Sequence, residues 1–166
     1  MRDVGAFQIR GRLASYQKMR QGLRFDRPSR YVSALNDQTI PHEGIARSVR
    51  FISQNYFRPI RVSDLEKIGG LSRRGFLKAF RKHTGVSPAR VLRQLRVERA
   101  KQLLVETDLS LHQLAAQCGF RSVNSFSVAF RHVAGVAPKQ FQRQIWLSSY
   151  RQFNQPSTHK AVIVLT

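Results

Sequence analysis

The chain carries the stretch FLKAFRKHTGVSP at residues 76–88 and a second version of it, FSVAFRHVAGVAP, at residues 126–138. Upstream of both copies the match continues at an offset of 49, so that Gly70 corresponds to Gly119. In each copy this glycine separates two segments of helical spacing. Two phenylalanines four residues apart mark one face of the segment that follows it. A helix–glycine–helix pattern that occurs twice predicts two similar structural units in one chain.

Helical periodicity and capping residues predict an all-α fold around these units. Ser63, followed three residues later by Glu66, predicts a capping box at the start of a short helix. Ser87-Pro88 is typical of a helix start, and it opens the longest predicted helix. The predicted helices cover about 45–58, 64–69, 73–83, 88–106, 111–118, 123–133 and 138–143. A strand-like run at 161–165 has no evident partner strand.

The charge of the chain is strongly positive and unevenly distributed. Its 166 residues include 29 Lys and Arg against 9 Asp and Glu, a formal net charge of +20. Residues 1–43 carry a net charge of +4, residues 44–143 carry +14 and residues 144–166 carry +2. Because the excess lies on the repeat, the charge favours nucleic acid as the partner over an anionic membrane surface.

Several classes of protein are disfavoured by what the sequence lacks. No apolar run approaches 18 residues and no apolar signal core opens the chain, so we expect a cytoplasmic, nucleoid-associated protein with no membrane partner. The carboxylates and histidines show no catalytic or metal-binding spacing, and no phosphate-binding glycine motif occurs. We therefore expect no enzyme activity, no catalytic residues, no metal and no cofactor. Cys118 is expected to be a buried apolar side chain, and Trp146 to pack the last helix against the second unit.

A short helix, a tight turn and a second helix with a free outer face define a helix-turn-helix. At 100° per residue, the face opposite each phenylalanine pair is the free one. In the first unit the candidate contact residues are Arg73, Arg74, Leu77, Lys78 and Arg81. In the second unit they are Arg121, Asn124, Ser127, Val128 and Arg131. Further candidates for phosphate contacts are Lys82 and Lys139.

The two faces differ in chemistry. Arg and Lys suit guanine edges or phosphates, Asn suits adenine, and Val packs on a thymine methyl group. The first unit is therefore expected to bind double-stranded DNA with more charge, and the second to discriminate through amide, methyl and shape contacts. The 19-residue helix between them would span about 28 Å. Successive major-groove segments on one face of DNA lie about 34 Å apart, so one chain is expected to reach two of them.

The motifs LAAQCGF at 114–120 and GVAP at 135–138 resemble the signature of AraC/XylS-type bacterial transcription regulators, as does RVERAKQLL at 96–104. The resemblance covers about residues 44–143. It implies two helix-turn-helix subdomains joined by a helix, an asymmetric promoter site as ligand, and contact with RNA polymerase during activation. This sequence departs from the family pattern at Val128, where members commonly have a basic residue, and at Glu66, where they usually have a small alanine.

The sequence thus predicts three regions. Residues 1–43 are expected to be a poorly structured linker or the remnant of a lost sensor domain, so that no small-molecule effector domain is evident. Residues 44–143 form the DNA-binding domain, with units at about 44–86 and 110–143 and a linker helix at 88–106. Residues 144–166 form a tail. Two alternatives remain open: a non-specific nucleoid-type or RNA-binding protein, and a module whose exposed helices bind a protein such as RNA polymerase.

Overall fold

The structure, a computed structural model, describes residues 12–14, 16–17 and 40–153. Across these residues the chain is helical, without a strand, which confirms the all-α prediction. The helices of the continuous segment are α1 Glu43–Asn55, α2 Val62–Gly69, α3 Arg73–Thr84, α4 Pro88–Glu106, α5 Leu111–Gln117, α6 Val123–Ala134 and α7 Pro138–Phe153. The strand-like run at 161–165 lies outside the described residues.

The second helix of each unit is bounded by the same chemistry. Ser72 precedes α3 and Ser122 precedes α6, and each hydroxyl oxygen accepts a hydrogen bond from the amide three residues further on, at 3.4 Å and 3.1 Å. Both helices have 12 residues and end at a glycine, Gly85 or Gly135, with φ of 77°. Matching caps explain why the repeated sequence forms two helices of equal length.

The first unit packs α1, α2 and α3 against the start of α4. Its fully buried core consists of Ile45, Val49, Ile52, Leu65, Phe76, Phe80, Val86 and Val91. A Cβ at Gly44 would overlap the carbonyl oxygen of Gly69, so the close approach of α1 to α2 requires glycine there. The buried Ser48 hydroxyl lies 2.9 Å from the carbonyl oxygen of Gly44 and 3.1 Å from that of Leu65, which joins the same two helices.

The second unit packs α5, α6 and α7 against the remainder of α4. Its core is richer in aromatic rings, because Phe130 contacts both Phe126 and Phe141 with ring centroids 5.7 Å and 5.4 Å apart. The buried residues of α4 in this core are Val97, Ala100, Leu103, Leu104 and Val105. One helix therefore contributes its first turns to one core and its later turns to the other.

The start of α2 differs from the sequence prediction. Its N-cap is Arg61, whose backbone amide donates a hydrogen bond to the carboxylate of Asp64 at 2.9 Å. Ser63 lies inside the first turn, so the predicted Ser63–Glu66 capping box is wrong. Asp64 lies three residues after Arg61, where its carboxylate reaches the free amide, and an anion in the first turn is also favoured by the helix dipole.

The last helix is longer than predicted. We expected it to end near Arg143, but α7 continues to Phe153 because Ile145, only 1% exposed, extends its apolar face beyond that point. The predicted packing of Trp146 against the second unit is wrong. Trp146 is 52% exposed and stacks on Tyr150, with ring centroids 5.9 Å apart.

Two short stretches of the N-terminal region, which was expected to be a poorly structured linker, lie within the described part of the chain. Residues 12–14 and 16–17 are helical, and Tyr16 is buried against the second core with its ring edge-on to Phe141. Arg12 forms an ion pair with Asp108 at 2.8 Å. Aromatic burial against the ring cluster, with an ion pair beside it, accounts for this local order.

Candidate nucleic-acid interface

Among the residues that the structure describes, none buries the outer face of α3. Its candidate residues are all exposed, namely Arg73, Arg74, Leu77, Lys78, Arg81 and Lys82. Phe76 and Phe80, on the opposite face, are fully buried. The phenylalanine pair therefore identified the buried face correctly. The opposite face presents four cations and one leucine, while Arg73 is exposed at the start of the helix, nearer the buried side.

The outer face of α6 is free as well but carries less charge. On this helix Asn124, Val128 and Arg131 are exposed and Ser127 is half-buried. Arg121 is exposed too, but it lies before the helix, ahead of the N-cap Ser122. Val128 corresponds to Lys78 at the repeat offset of 50, and its side chain is 63% exposed. This exposure keeps Val128 out of the core and leaves it available as a candidate contact residue.

Lys82 and Lys139, the predicted phosphate contacts, are both exposed. Lys82 lies in the last turn of α3, whereas Lys139 lies in the first turn of α7. The two cations thus belong to different units, one near the end of a candidate contact helix and the other just after one.

Arg73 differs from the other cations of α3 because a carboxylate lies beside it. Its Nε lies 3.9 Å from Oε1 of Glu66, a residue of α2 whose side chain is 16% exposed. That oxygen is buried and has no hydrogen-bond partner. The corresponding residue of the second unit is Ala115, which is buried in the core. Glu66 therefore places a poorly satisfied anion next to the start of the more cationic contact helix.

The sequence prediction missed Arg96, in the middle of α4. Its Nε donates to the carbonyl oxygen of Tyr56 and its Nη2 to that of Arg58, both at 2.7 Å. Its guanidinium also lies over the ring of Phe120, 5.6 Å from the centroid. The residue therefore contacts both units where they meet. Its position in the family-like motif at 96–104 was the available signal, but that motif gives no contact partners.

Three further features concern metal binding, membrane-spanning helices and the single cysteine. Within residues 12–14, 16–17 and 40–153, no group of three or more His, Cys, Asp or Glu side chains could hold a metal ion. Over the same part of the chain, no helix combines the length and the apolar character needed to cross a membrane. Cys118 is fully buried, as predicted, and burial raises the pKa of its thiol to about 11.

Comparison with known protein families places residues 65–144 in a family described as "Helix-turn-helix domain". Among curated proteins, the chain is similar to the probable transcriptional regulator LumQ of Photobacterium leiognathi, with 35% identity over 92 residues, covering 55% of this chain and 37% of that protein. It is also similar to the HTH-type transcriptional activator RhaS of Pectobacterium carotovorum, with 30% identity over 102 residues. That match covers 61% of this chain and 37% of that protein. The chain thus spans about a third of the length of these curated relatives.

Solved structures agree with this assignment. The DNA-binding domain of AdpA, a global transcriptional factor solved in complex with a target DNA, has 30% identity and a TM-score of 0.58, covering 66% of this chain and 95% of that one. A transcriptional regulator from Chromobacterium violaceum, described as an AraC-type DNA-binding domain-containing protein, has 29% identity and a TM-score of 0.55. The match covers 62% of this chain and 92% of that one. With its two capped helix-turn-helix units and these similarities, the chain carries an AraC/XylS-type DNA-binding domain.

Proposed function

We propose that this protein is a sequence-specific bacterial transcription regulator that inserts α3 and α6, its two recognition helices, into adjacent major-groove segments of a promoter. The observation that carries the proposal is the pair of exposed faces on two cores that share one 19-residue helix, α4. A helix of that length spans about 28 Å. With the width of the two units added, it suits a groove repeat of about 34 Å.

The first recognition helix supplies most of the attraction. Arg74, Lys78 and Arg81 are exposed on its outer face, and each suits a guanine edge or a phosphate. No acidic residue lies in the first turn of α3. The binding contribution of this helix is therefore expected to be strongly electrostatic and sensitive to salt.

The second recognition helix supplies contacts of another kind. Asn124 can form two hydrogen bonds with an adenine edge, and Val128 can pack on a thymine methyl group. Ser127 lies between them and can donate or accept a hydrogen bond. Because these groups are uncharged, their binding energy depends on base identity more than on salt.

Phosphate contacts then fix the orientation of both helices. The candidates are Lys82, Lys139, Arg131 and the backbone amides at the N-termini of the recognition helices. With roughly 6–10 such contacts, affinity falls about 10³–10⁵-fold between 50 and 200 mM salt. A flat salt response would contradict an interface of this type.

RNA polymerase is the partner we propose for the case in which the protein activates transcription. The name of RhaS describes that relative as an activator. Contact between a bound regulator and the polymerase would require a surface outside the two recognition helices. The proposal places the protein in the cytoplasm, where both its DNA and the polymerase are found.

Selection of bound sequences from a random DNA pool tests the proposed function. We expect enrichment of one asymmetric sequence, and binding to it that persists in excess random DNA. Binding that random DNA competes away equally well would instead support the non-specific nucleoid-type or RNA-binding alternative. Binding to a partner protein that survives neutralisation of Arg74, Lys78 and Arg81 together, without specific DNA binding, would support an interaction module.

A further inference from the structure

Arg96 holds the first unit through its backbone. The guanidinium donates two hydrogen bonds of 2.7 Å, one to the carbonyl oxygen of Tyr56 and one to that of Arg58. These carbonyls belong to the segment that follows α1, 38 and 40 residues before Arg96. A planar fork with two parallel donors fixes both the distance and the direction of that segment relative to α4.

The same guanidinium holds the second unit through an aromatic ring. It lies over Phe120, which follows α5 and packs on the core residue Phe126 with ring centroids 5.4 Å apart. A cation over a ring face is attracted by the ring's quadrupole, and more strongly where water is excluded. One side chain therefore connects the backbone of one unit to the aromatic core of the other.

The backbones of the two units also touch directly beside Arg96. A Cβ at Gly119 would lie 2.7 Å from the carbonyl oxygen of Phe57 and 2.9 Å from that of Tyr56. Gly119 has a φ of 75°, a conformation that favours glycine for a second reason. The junction is thus tightly packed backbone against backbone, with Arg96 across it.

The partly buried charge of Arg96 favours one relative orientation of the two units. Arg96 is half-buried, and this partial burial lowers the pKa of its guanidinium. A desolvated charge that loses its acceptors is costly. Movement of the segment 56–58 away from α4 would leave Arg96 without those acceptors, so the alternative orientations of the two units are disfavoured.

We propose that Arg96 is a positioning residue that sets the spacing at which the two recognition helices can read DNA. This inference rests on the proposed function. Two recognition helices bound as one rigid body gain affinity because the second binding step is intramolecular. A looser junction lowers that gain for the correctly spaced site and lets the units adapt to other spacings.

The DNA experiment compares Arg96→Met with Arg93→Met. Arg93 is exposed one turn earlier on α4, so its replacement removes the same charge from the same helix. For the selected two-element site we expect Arg96→Met to lose affinity by about 10- to 100-fold. On DNA that keeps only the element read by one recognition helix, Arg96→Met should change the affinity by no more than about threefold. Arg93→Met should stay within the same limit on both DNAs, which corresponds to the loss of one weak phosphate contact. Insertion of one base pair between the elements should penalise the wild type more than Arg96→Met.

The distance experiment needs no DNA. Spin labels on cysteines introduced at the exposed residues Gln54 and Gln140 report the distance between the units, while the buried Cys118 thiol stays unlabelled. We expect one narrow distance distribution for the wild type and for Arg93→Met. Arg96→Met should broaden it, and Arg96→Lys, which keeps the charge but loses the fork, should lie between them. Circular dichroism confirms that each variant is folded, and Phe120→Leu provides a second variant that weakens the junction.

The outcomes separate the two proposals. An unchanged distance distribution in both folded variants, Arg96→Met and Phe120→Leu, would overturn the positioning role whatever the DNA results. Equal affinity losses on one-element and two-element DNA would overturn it too, because Arg96 would then act as an ordinary phosphate contact. A wild type without sequence-specific binding would overturn the proposed function, and the distance distributions would then decide by themselves whether Arg96 joins the units.

Discussion

The two helix-turn-helix units share their caps and their buried phenylalanine pairs but differ on the surface and beneath it. The first exposes Arg74, Lys78 and Arg81, where the second exposes Asn124, Val128 and Arg131. Inside, the first core has one phenylalanine pair, whereas in the second Phe120, Phe126, Phe130 and Phe141 form a continuous series of ring contacts. The caps and the buried phenylalanine pairs are therefore conserved between the copies, while the exposed faces and the rest of the aromatic packing have diverged.

From this contrast we propose a division of labour on one scaffold. A cationic helix attracts any DNA, and a helix with amide and methyl groups distinguishes sequences. Since α4 contributes to both cores, neither helix can be repositioned without affecting the other unit.

Removal of the charged face should have the largest effect, and it should differ between the units. The triple variant Arg74→Ala, Lys78→Ala, Arg81→Ala is expected to reduce the slope of log affinity against log salt by about 2–3, since each lost phosphate contact contributes about 0.9. The matched triple of Asn124, Val128 and Arg131 to alanine should reduce it by about 1. Titrations of labelled DNA at several salt concentrations measure both slopes, and equal reductions would contradict the division of labour.

Removal of one core ring should destabilise the units unequally. Phe80→Ala and Phe130→Ala each delete a fully buried ring, at a cost of about 3–5 kcal/mol. We expect Phe130→Ala to be the more costly, because Phe130 contacts two other rings. Denaturant unfolding measures the free energies.

The reactivity of the Cys118 thiol reports on the stability of the second unit alone. The thiol is buried in the second core with a pKa raised to about 11, so at pH 8 it reacts with a thiol reagent only after that core opens. Phe130→Ala should accelerate labelling more than Phe80→Ala. The reverse order would show that the second core does not control exposure of the thiol.

Single substitutions on the recognition helices should separate affinity from specificity. Asn124→Ala is expected to cost about 1–3 kcal/mol on the preferred sequence and to relax the preference at one base position. Lys78→Ala should weaken binding to all sequences by a similar factor and lower the salt slope by about 1. Binding to a panel of single-base variants measures both. The division fails if Asn124→Ala leaves binding unchanged while Lys78→Ala relaxes the sequence preference.

Glu66→Ala should have the smallest effect. Unlike the core substitutions, it should raise the free energy of unfolding. It removes a carboxylate whose Oε1 is buried without a hydrogen bond, and it makes the position resemble Ala115 of the second unit. We expect the free energy of unfolding to rise by about 1 kcal/mol. Affinity for DNA should also rise slightly, since an anion beside Arg73 is lost. Glu43→Ala, at a side chain that is 83% exposed, is the control. A destabilised Glu66→Ala would show that the contact with Arg73 stabilises the fold.

Local signals in the sequence predicted most of the helices and both exposed faces. Ser87-Pro88 and Gly85 determine the local backbone, and the longest helix was predicted with the limits it has, Pro88–Glu106. The phenylalanine pairs determine which face is buried, so the exposure of Arg74 or Asn124 followed from helical geometry alone. That these faces contact DNA stays a prediction.

Long-range contacts could not be predicted in this way. Arg96 binds carbonyl groups some forty residues away, and nothing in helical periodicity identifies such partners. Lys101 is only 5% exposed and pairs with Glu98 at 2.7 Å, although lysine is normally a surface residue. Trp146 was expected to be buried from its apolar character, but Ile145 occupies the inward position beside it.

Footprinting of the selected DNA site tests most directly whether both recognition helices read one duplex. We expect two protected patches on one face of the DNA, centred about 10 base pairs apart, the separation of successive major-groove segments. The triple variant of Arg74, Lys78 and Arg81 should lose protection of one patch first, and the triple variant of Asn124, Val128 and Arg131 should lose that of the other. A single patch, or protection that both variants weaken equally along its length, would contradict the account.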